Sequence, residues 1–148
     1  KWPNDLLDPE RRKVAGILSE MELEEGAISH VVLGVGVNVN QEQFDSALPH
    51  AGSLARLRGS QDRGQVLARC LAAIEYRCDQ VATAPSEMLA GWRERWLDQG
   101  REVRAEGIRG VAIDVAEDGS LSVETEEGTM SVFAGDVVPV DSLEGAKD

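Results

Sequence analysis

Beyond Gly100 the chain breaks into short alternating runs, and this constrains its fold more than any other feature. Five apolar-containing stretches follow in quick succession: Glu102–Ala105, Arg109–Ala116, Ser120–Thr125, Met130–Phe133 and Val137–Val140. Glu117-Asp118-Gly119 and Glu126-Glu127-Gly128 separate neighbouring runs. A polar tip followed by glycine lets the backbone enter the left-handed region that a tight hairpin needs. Strands this short, joined by links this tight, predict a small antiparallel sheet that curls on itself. A unit of under 50 residues buries little on its own, so docking against the preceding helical segment is expected.

The small barrel expected from these strands is of the SH3-like kind. Before it the period differs. Val66, Leu67, Cys70, Leu71, Ile74 and Val81 recur at helical spacing, with Asp62 placed as an N-cap. Pro85-Ser86-Glu87 opens a further helix with Met88, Leu89, Trp92 and Trp96 on one stripe, and Gly100 is expected to end it. Nearer the start, residues 12–23 predict a strand entered from a turn at Asp8-Pro9-Glu10. Glu24-Glu25-Gly26 predicts a turn, and Ile28–Val39 a second strand. Val31, Val32, Leu33, Val35, Val37 and Val39 are nearly continuous, the pattern of a buried strand. The two strands form an antiparallel hairpin. Gly34 and Gly36 share one of its faces, where a backbone or ligand can approach closely. Residues 40–61 are polar and hold one short helix near Ser53–Arg58. The expected class is α+β.

Charge narrows the partners. The formal net charge is -12, which disfavours nucleic acid or an anionic membrane as a bulk partner. Residues 101–148 carry 4 basic and 12 acidic side chains, whereas Lys1, Arg11, Arg12 and Lys13 cluster in the first 13 positions. A local positive site in an acidic chain suits a small anionic ligand. Cys70 and Cys78 lie two helical turns apart, roughly 12 Å, beyond disulfide reach, which suits a reduced, cytoplasmic setting. There is no run of about 18 apolar residues.

Three stretches could carry chemistry. In Lys1-Trp2-Pro3-Asn4-Asp5, Pro3 restricts Trp2 to extended geometry, so a cation, an amide and a carboxylate sit on one stiff segment. Such a segment can orient a charged substrate; each residue alone reads equally as a strand end with an Asn-Asp turn. Lys13 enters the apolar run Val14-Ala15-Gly16-Ile17-Leu18. By itself it is a snorkelling edge lysine; with Gly16 opening room for a flat ligand, its ammonium could meet developing phosphate charge. Gly34-x-Gly36-x-Asn38 lacks the spacing of a dinucleotide or phosphate loop. It is either a twisted strand with packing glycines or a route that brings the Asn38 amide to a base edge. His30 and His50 have no partners at zinc spacing, and no metal-ligating residue is assigned. Trp92 and Trp96 read as core.

Taken together, Lys1–Leu6, Arg12–Leu18, Gly34–Asn38, the Trp92-Arg93-Glu94-Arg95-Trp96 helix end and the β-rich tail resemble the biotin–protein ligase (biotin–[acetyl-CoA-carboxylase] ligase) family. The resemblance implies the C-terminal half of the ligase catalytic domain over residues 1–98, a mixed sheet of the class II aminoacyl-tRNA-synthetase-like kind. It implies an SH3-like C-terminal domain over 99–148. The implied reaction joins biotin and ATP, with Mg²⁺, into biotinyl-5′-AMP and passes biotin to a lysine of a biotin carboxyl carrier domain. Lys13 matches the family lysine at the biotin carbonyl and α-phosphate, and Asp5 the carboxylate that orients or deprotonates the incoming lysine. Lys1 and Asn4 fall in the matched segment, Asn4 and Asn38 around the adenylate. Gly16 and Ile17 match strand positions along the biotin pocket, with Gly36 on the neighbouring strand.

The family's Gly/Arg-rich biotin loop lies upstream of the KWPND stretch, and no such stretch occurs in these 148 residues. The expectation is therefore a chain that does not make biotinyl-5′-AMP alone. An incomplete sheet is expected to leave unpaired edges and uncovered apolar surface, which favour aggregation or pairing with another copy or chain. DNA contact would need a further domain. The alternatives are a non-catalytic module that senses biotinyl-5′-AMP or mediates an interaction, and a lipoate–protein ligase.

Overall fold

The computed structural model describes residues 1–141. Its elements run β1 (Asp5–Leu7), β2 (Lys13–Glu24), β3 (Ala27–Val37), α1 (Leu54–Arg58), α2 (Arg63–Thr83), α3 (Pro85–Arg93), β4 (Glu102–Ala105), β5 (Ile108–Val115), β6 (Leu121–Thr125), β7 (Gly128–Val132) and β8 (Val137–Pro139). Two compact units result. One comprises Asn4–Ala73, the other Lys1–Pro3 together with the chain from Ile74 onward. The final stretch of the expected 99–148 domain, residues 142–148, lies outside the described residues.

In the unit from Ile74, all five expected strands form, in the order β7-β6-β5-β4-β8, every neighbour antiparallel. Alternation makes the core: Val103 and Ala105 on β4, Ala112 and Val115 on β5, Leu121 and Val123 on β6, Val132 and Val137 all point inward. Trp2 and Trp96 complete that cluster, with Leu89, Trp92 and Ile108 packed on it. Trp92 and Trp96 stack with ring centroids 5.6 Å apart; Trp96 is core as expected, and Trp92 packs on it half-buried. The turn before β6 is closed by the Asp118 carboxylate, which accepts from the Ser120 amide at 2.9 Å and its hydroxyl at 2.7 Å. Those bonds favour the ionised form and hold the Asp118 pKa below its ordinary value.

Gly110 is where two strands approach most tightly. A Cβ there would lie 2.2 Å from the Glu124 carbonyl oxygen and 2.9 Å from Val123 Cγ1. Backbone cannot move aside as a side-chain tip can. Gly110→Ala is therefore expected to cost about 1–3 kcal/mol, read as a lower midpoint in urea unfolding.

The sequence expectation of one long helix ending at Gly100 does not hold. α3 stops at Arg93, and the Arg95 and Trp96 amides bond three residues back, to the Trp92 and Arg93 carbonyls. This tightening is a common way for a helix to satisfy its last carbonyls. Gly100, at φ 75, instead passes its N–H to the Ala112 carbonyl. The expected extended start also differs: Trp2–Asn4 form a turn, with a cis Trp2–Pro3 bond.

In the Asn4–Ala73 unit the expected hairpin forms, β2 against β3, and β1 adds a strand that the sequence did not announce. Asp62 caps α2 as expected, its carboxylate accepting from the Gln65 amide at 3.0 Å. The expected burial of β3 is overturned. Every residue from Ala27 to Gly36 is exposed, and across the hairpin Leu18 is 62% and Met21 66% exposed. Apolar composition states what a strand would bury, but cover comes from another element. Among the described residues nothing covers either face of the outer hairpin, and β3 is a sheet edge. Leu67 and Leu71 on α2 are likewise exposed. Cys70 and Cys78 are both free thiols. No helix among the described residues is long and apolar enough to cross a membrane.

Candidate active site

The Asn4–Ala73 unit brings Asp5, Lys13, Gly16 and Gly36 together through strand register. β1 and β2 pair Asp5 with Gly16 and Leu6 with Ala15, but Leu7 with Lys13. One residue of β2, Val14, is therefore extra. Such a bulge re-aims the side chain beside it. Here it turns Lys13 onto the face shared by Asp5 and Gly16, and Lys13 Nζ lies 2.6 Å from Asp5 Oδ1. A Cβ on Gly16 would sit 3.0 Å from Lys13 Cε and 3.2 Å from Nζ, so glycine leaves the lysine its path. Gly36 is the cross-strand partner of Gly16, and the space above it is open. The ion pair thus stands at the end of a flat glycine strip.

The other expected residues fall as follows. Ile17 pairs with Val35, and alternation puts it on the opposite face from Gly16. Its amide donates to the Asn4 carbonyl at 2.8 Å, so Asn4 acts here through its backbone. Asn38 donates from Nδ2 to the Gly52 carbonyl at 3.0 Å and to the Lys13 carbonyl at 3.4 Å. That amide is holding backbone, while its oxygen is left for another donor. Lys1 belongs to the other unit, its ammonium 3.7 Å from an Asp136 carboxylate oxygen.

The sequence marked Asp8 as a turn residue and Arg12 as part of a basic cluster, but showed no sign that they pair with each other or pack at Gly52. Asp8 is 2% exposed. Its carboxylate accepts from the Arg12 amide at 2.8 Å and from Arg12 Nε at 2.7 Å. Burial pushes the Asp8 carboxyl up, but the Arg12 amide and guanidinium together outweigh it and hold it below its ordinary value. The spacing of Asp8 and Arg12 around Pro9 was visible; burial of the acid was not. Among the described residues no three His, Cys, Asp or Glu side chains group to hold a metal.

An ammonium held by a carboxylate beside an open, side-chain-free strip has the charge and the room to take a flat ligand carrying negative charge. No family model matches the chain. It is 39% identical to the biotin–[acetyl-CoA-carboxylase] ligase of Mycobacterium tuberculosis, over 93% of this chain and 52% of that protein. It is 33% identical to the bifunctional ligase/repressor BirA of Bacillus spizizenii, over 93% of this chain and 45% of that one. Among solved structures, the apo biotin protein ligase of Aquifex aeolicus superposes with a TM-score of 0.79 at 28% identity, covering 93% of this chain and 63% of that one. The same enzyme in complex with biotin and ATP gives 0.77 at 29% identity, covering 93% and 59%. Over 93% of its length the chain is related to biotin–protein ligases, and it spans about half the length of the curated relatives it matches.

Proposed function

We propose that these residues form one wall of an adenylate-forming biotin ligase site, on the strength of the Lys13–Asp5 pair at the Gly16–Gly36 strip. The biotin carboxylate oxygen attacks the α-phosphorus of ATP. The bond to the bridging oxygen breaks, pyrophosphate leaves, and biotinyl-5′-AMP remains. Lys13 meets the negative charge that builds on the phosphoryl oxygens. An acceptor lysine of a biotin carboxyl carrier domain then attacks the anhydride carbonyl, forming an amide and releasing AMP. At an ordinary pKa near 10.4 that lysine is largely protonated at neutral pH, and Asp5 orients it and takes its proton. Gly16 and Gly36 admit the ligand's flat part, with Asn4 and Asn38 around the adenylate, Ile17 behind the strand and Lys1 on the adjoining segment.

No described cluster fits Mg²⁺, and the ion belongs with the ATP phosphates. The strands from Glu102 serve as an SH3-like C-terminal domain, after a catalytic part of synthetase-like topology ending near residue 98. The free β3 edge offers a place for a second copy to pair. The free thiols fit a cytoplasmic protein.

Because the chain covers about half of its relatives, the 148 residues alone are inactive. A chimera joining them to the part of the Mycobacterium tuberculosis ligase that they do not cover is expected to biotinylate a carrier domain, and not to lipoylate it. Biotinylation by the 148 residues alone, or equal use of lipoate, would refute this.

A further inference from the structure

We propose that Asp8 is a positioning residue for Lys13, acting through Arg12 and the 50–52 segment; this rests on the role given above to Lys13. The 50–52 segment holds the Lys13 backbone through both its N–H and its carbonyl. Its amide donates to the His50 carbonyl at 2.7 Å and its carbonyl accepts from the Gly52 amide at 2.9 Å. Ala51 forms a parallel bridge with it. The turn that delivers the chain to this point runs from Asp8 to Arg12, and it is closed four times over. The Asp8 amide donates to the Arg12 carbonyl, and the Arg11 amide, at φ 63, donates to the Asp8 carbonyl. The Asp8 carboxylate accepts from the Arg12 amide and from its Nε.

The turn and the segment are packed against each other. A Cβ on Gly52 would lie 2.9 Å from Arg12 Cβ, 3.2 Å from Asp8 Oδ2 and 3.3 Å from Val14 Cγ1. Val14 is the bulged residue that aims Lys13 at Asp5. A buried carboxylate is costly unless fully paired, and this one is paired with Arg12 and packed at Gly52 beside the buried Val14 and Ala15. What it fixes is the residue next in the chain. Misplacing a charged group by about 1 Å can cost on the order of 10²-fold in rate.

The test reads Lys13 directly. The chain has three lysines, Lys1, Lys13 and Lys147, so ¹³Cε labelling gives a spectrum that Lys13→Arg assigns. Asp5→Asn supplies the Lys13 signal without its carboxylate. Asp8→Asn is expected to move the Lys13 signal most of the way to that position, while Lys1 stays unchanged. Gly52→Ala, which presses on the same turn from the other side, is expected to do the same. In the chimera, Asp8→Asn should lower kcat for biotin-dependent pyrophosphate release about 10-fold or more, with KM for biotin within about twofold. Asp8→Glu, which keeps the charge, should recover part of the loss.

If both variants stay folded and the Lys13 signal does not move, Asp8 serves the turn alone and the proposal fails. If Asp8→Asn unfolds, Gly52→Ala decides by the same signal. A moved signal in a chimera with no biotin-dependent activity would leave the positioning intact and sink the ligase role instead.

Discussion

Replacing Lys13 with alanine in the chimera is expected to slow formation of biotinyl-5′-AMP by about 10²–10³-fold, with the fold unchanged. The size follows from where the ammonium stands. It is pinned 2.6 Å from Asp5 and half exposed at the mouth of a strip with no side chains. A charge already oriented pays no reorganisation as phosphoryl charge develops, so its loss falls on the transition state and mainly on kcat. Stability should change little. The backbone bonds of Lys13 to the 50–52 segment do not use its side chain, and what that side chain loses is its place over Gly16 and one ion pair, to Asp5. Lys13→Arg keeps the charge but brings a planar fork past Gly16, and should recover only part of the rate. Stopped turnover assays on the three proteins check this; a loss below about threefold for Lys13→Ala would contradict it.

Trp2→Ala has the largest expected effect on stability, about 3–5 kcal/mol. Trp2 is 4% exposed and belongs to the cluster of Trp96, Val115, Leu121 and Val123. Its Nε1 donates to the Gly119 carbonyl at 2.9 Å, tying the first residues of the chain to the turn before β6. A cavity of about 520 Å³ already opens beside it, lined by Leu89, Trp92 and Phe133 among others, so truncation would enlarge a void that the surroundings are poorly placed to fill. Trp2→Phe keeps most of the buried ring and loses the hydrogen bond, and should cost less. Urea unfolding followed by fluorescence gives both values. A Trp2→Ala penalty under about 1 kcal/mol would show that the first residues are not part of this core.

What the sequence revealed divides by how local its cause is. The five strands after Gly100 appear within about two residues of their expected ends, because acidic-glycine turns and alternation act over a few positions. β1 was missed because Asp5-Leu6-Leu7 is too short to show a period. β3 was expected to be buried and is exposed, since its valines record a preference and not the presence of a cover. Lys13 and Asp5 stood out as types, but eight positions of chain separate them. Only the bulge at Val14 puts both on one face, and nothing in the residues around Val14 announces it. Asp8 looked like a turn former. Its burial against Arg12 and Gly52 depends on a segment some 40 residues further along the chain.

The account rests on Lys13 and the glycine strip forming an adenylate with biotin. The direct measurement is labelled biotinyl-5′-AMP from ATP labelled at the α-phosphate, resolved from ATP and AMP. The chimera is expected to yield it only when biotin is present, and to pass the biotin on, releasing AMP, when a carrier domain is added. A folded chimera that gives no biotin-dependent adenylate, or one whose adenylate is undiminished by Lys13→Ala, would contradict the account.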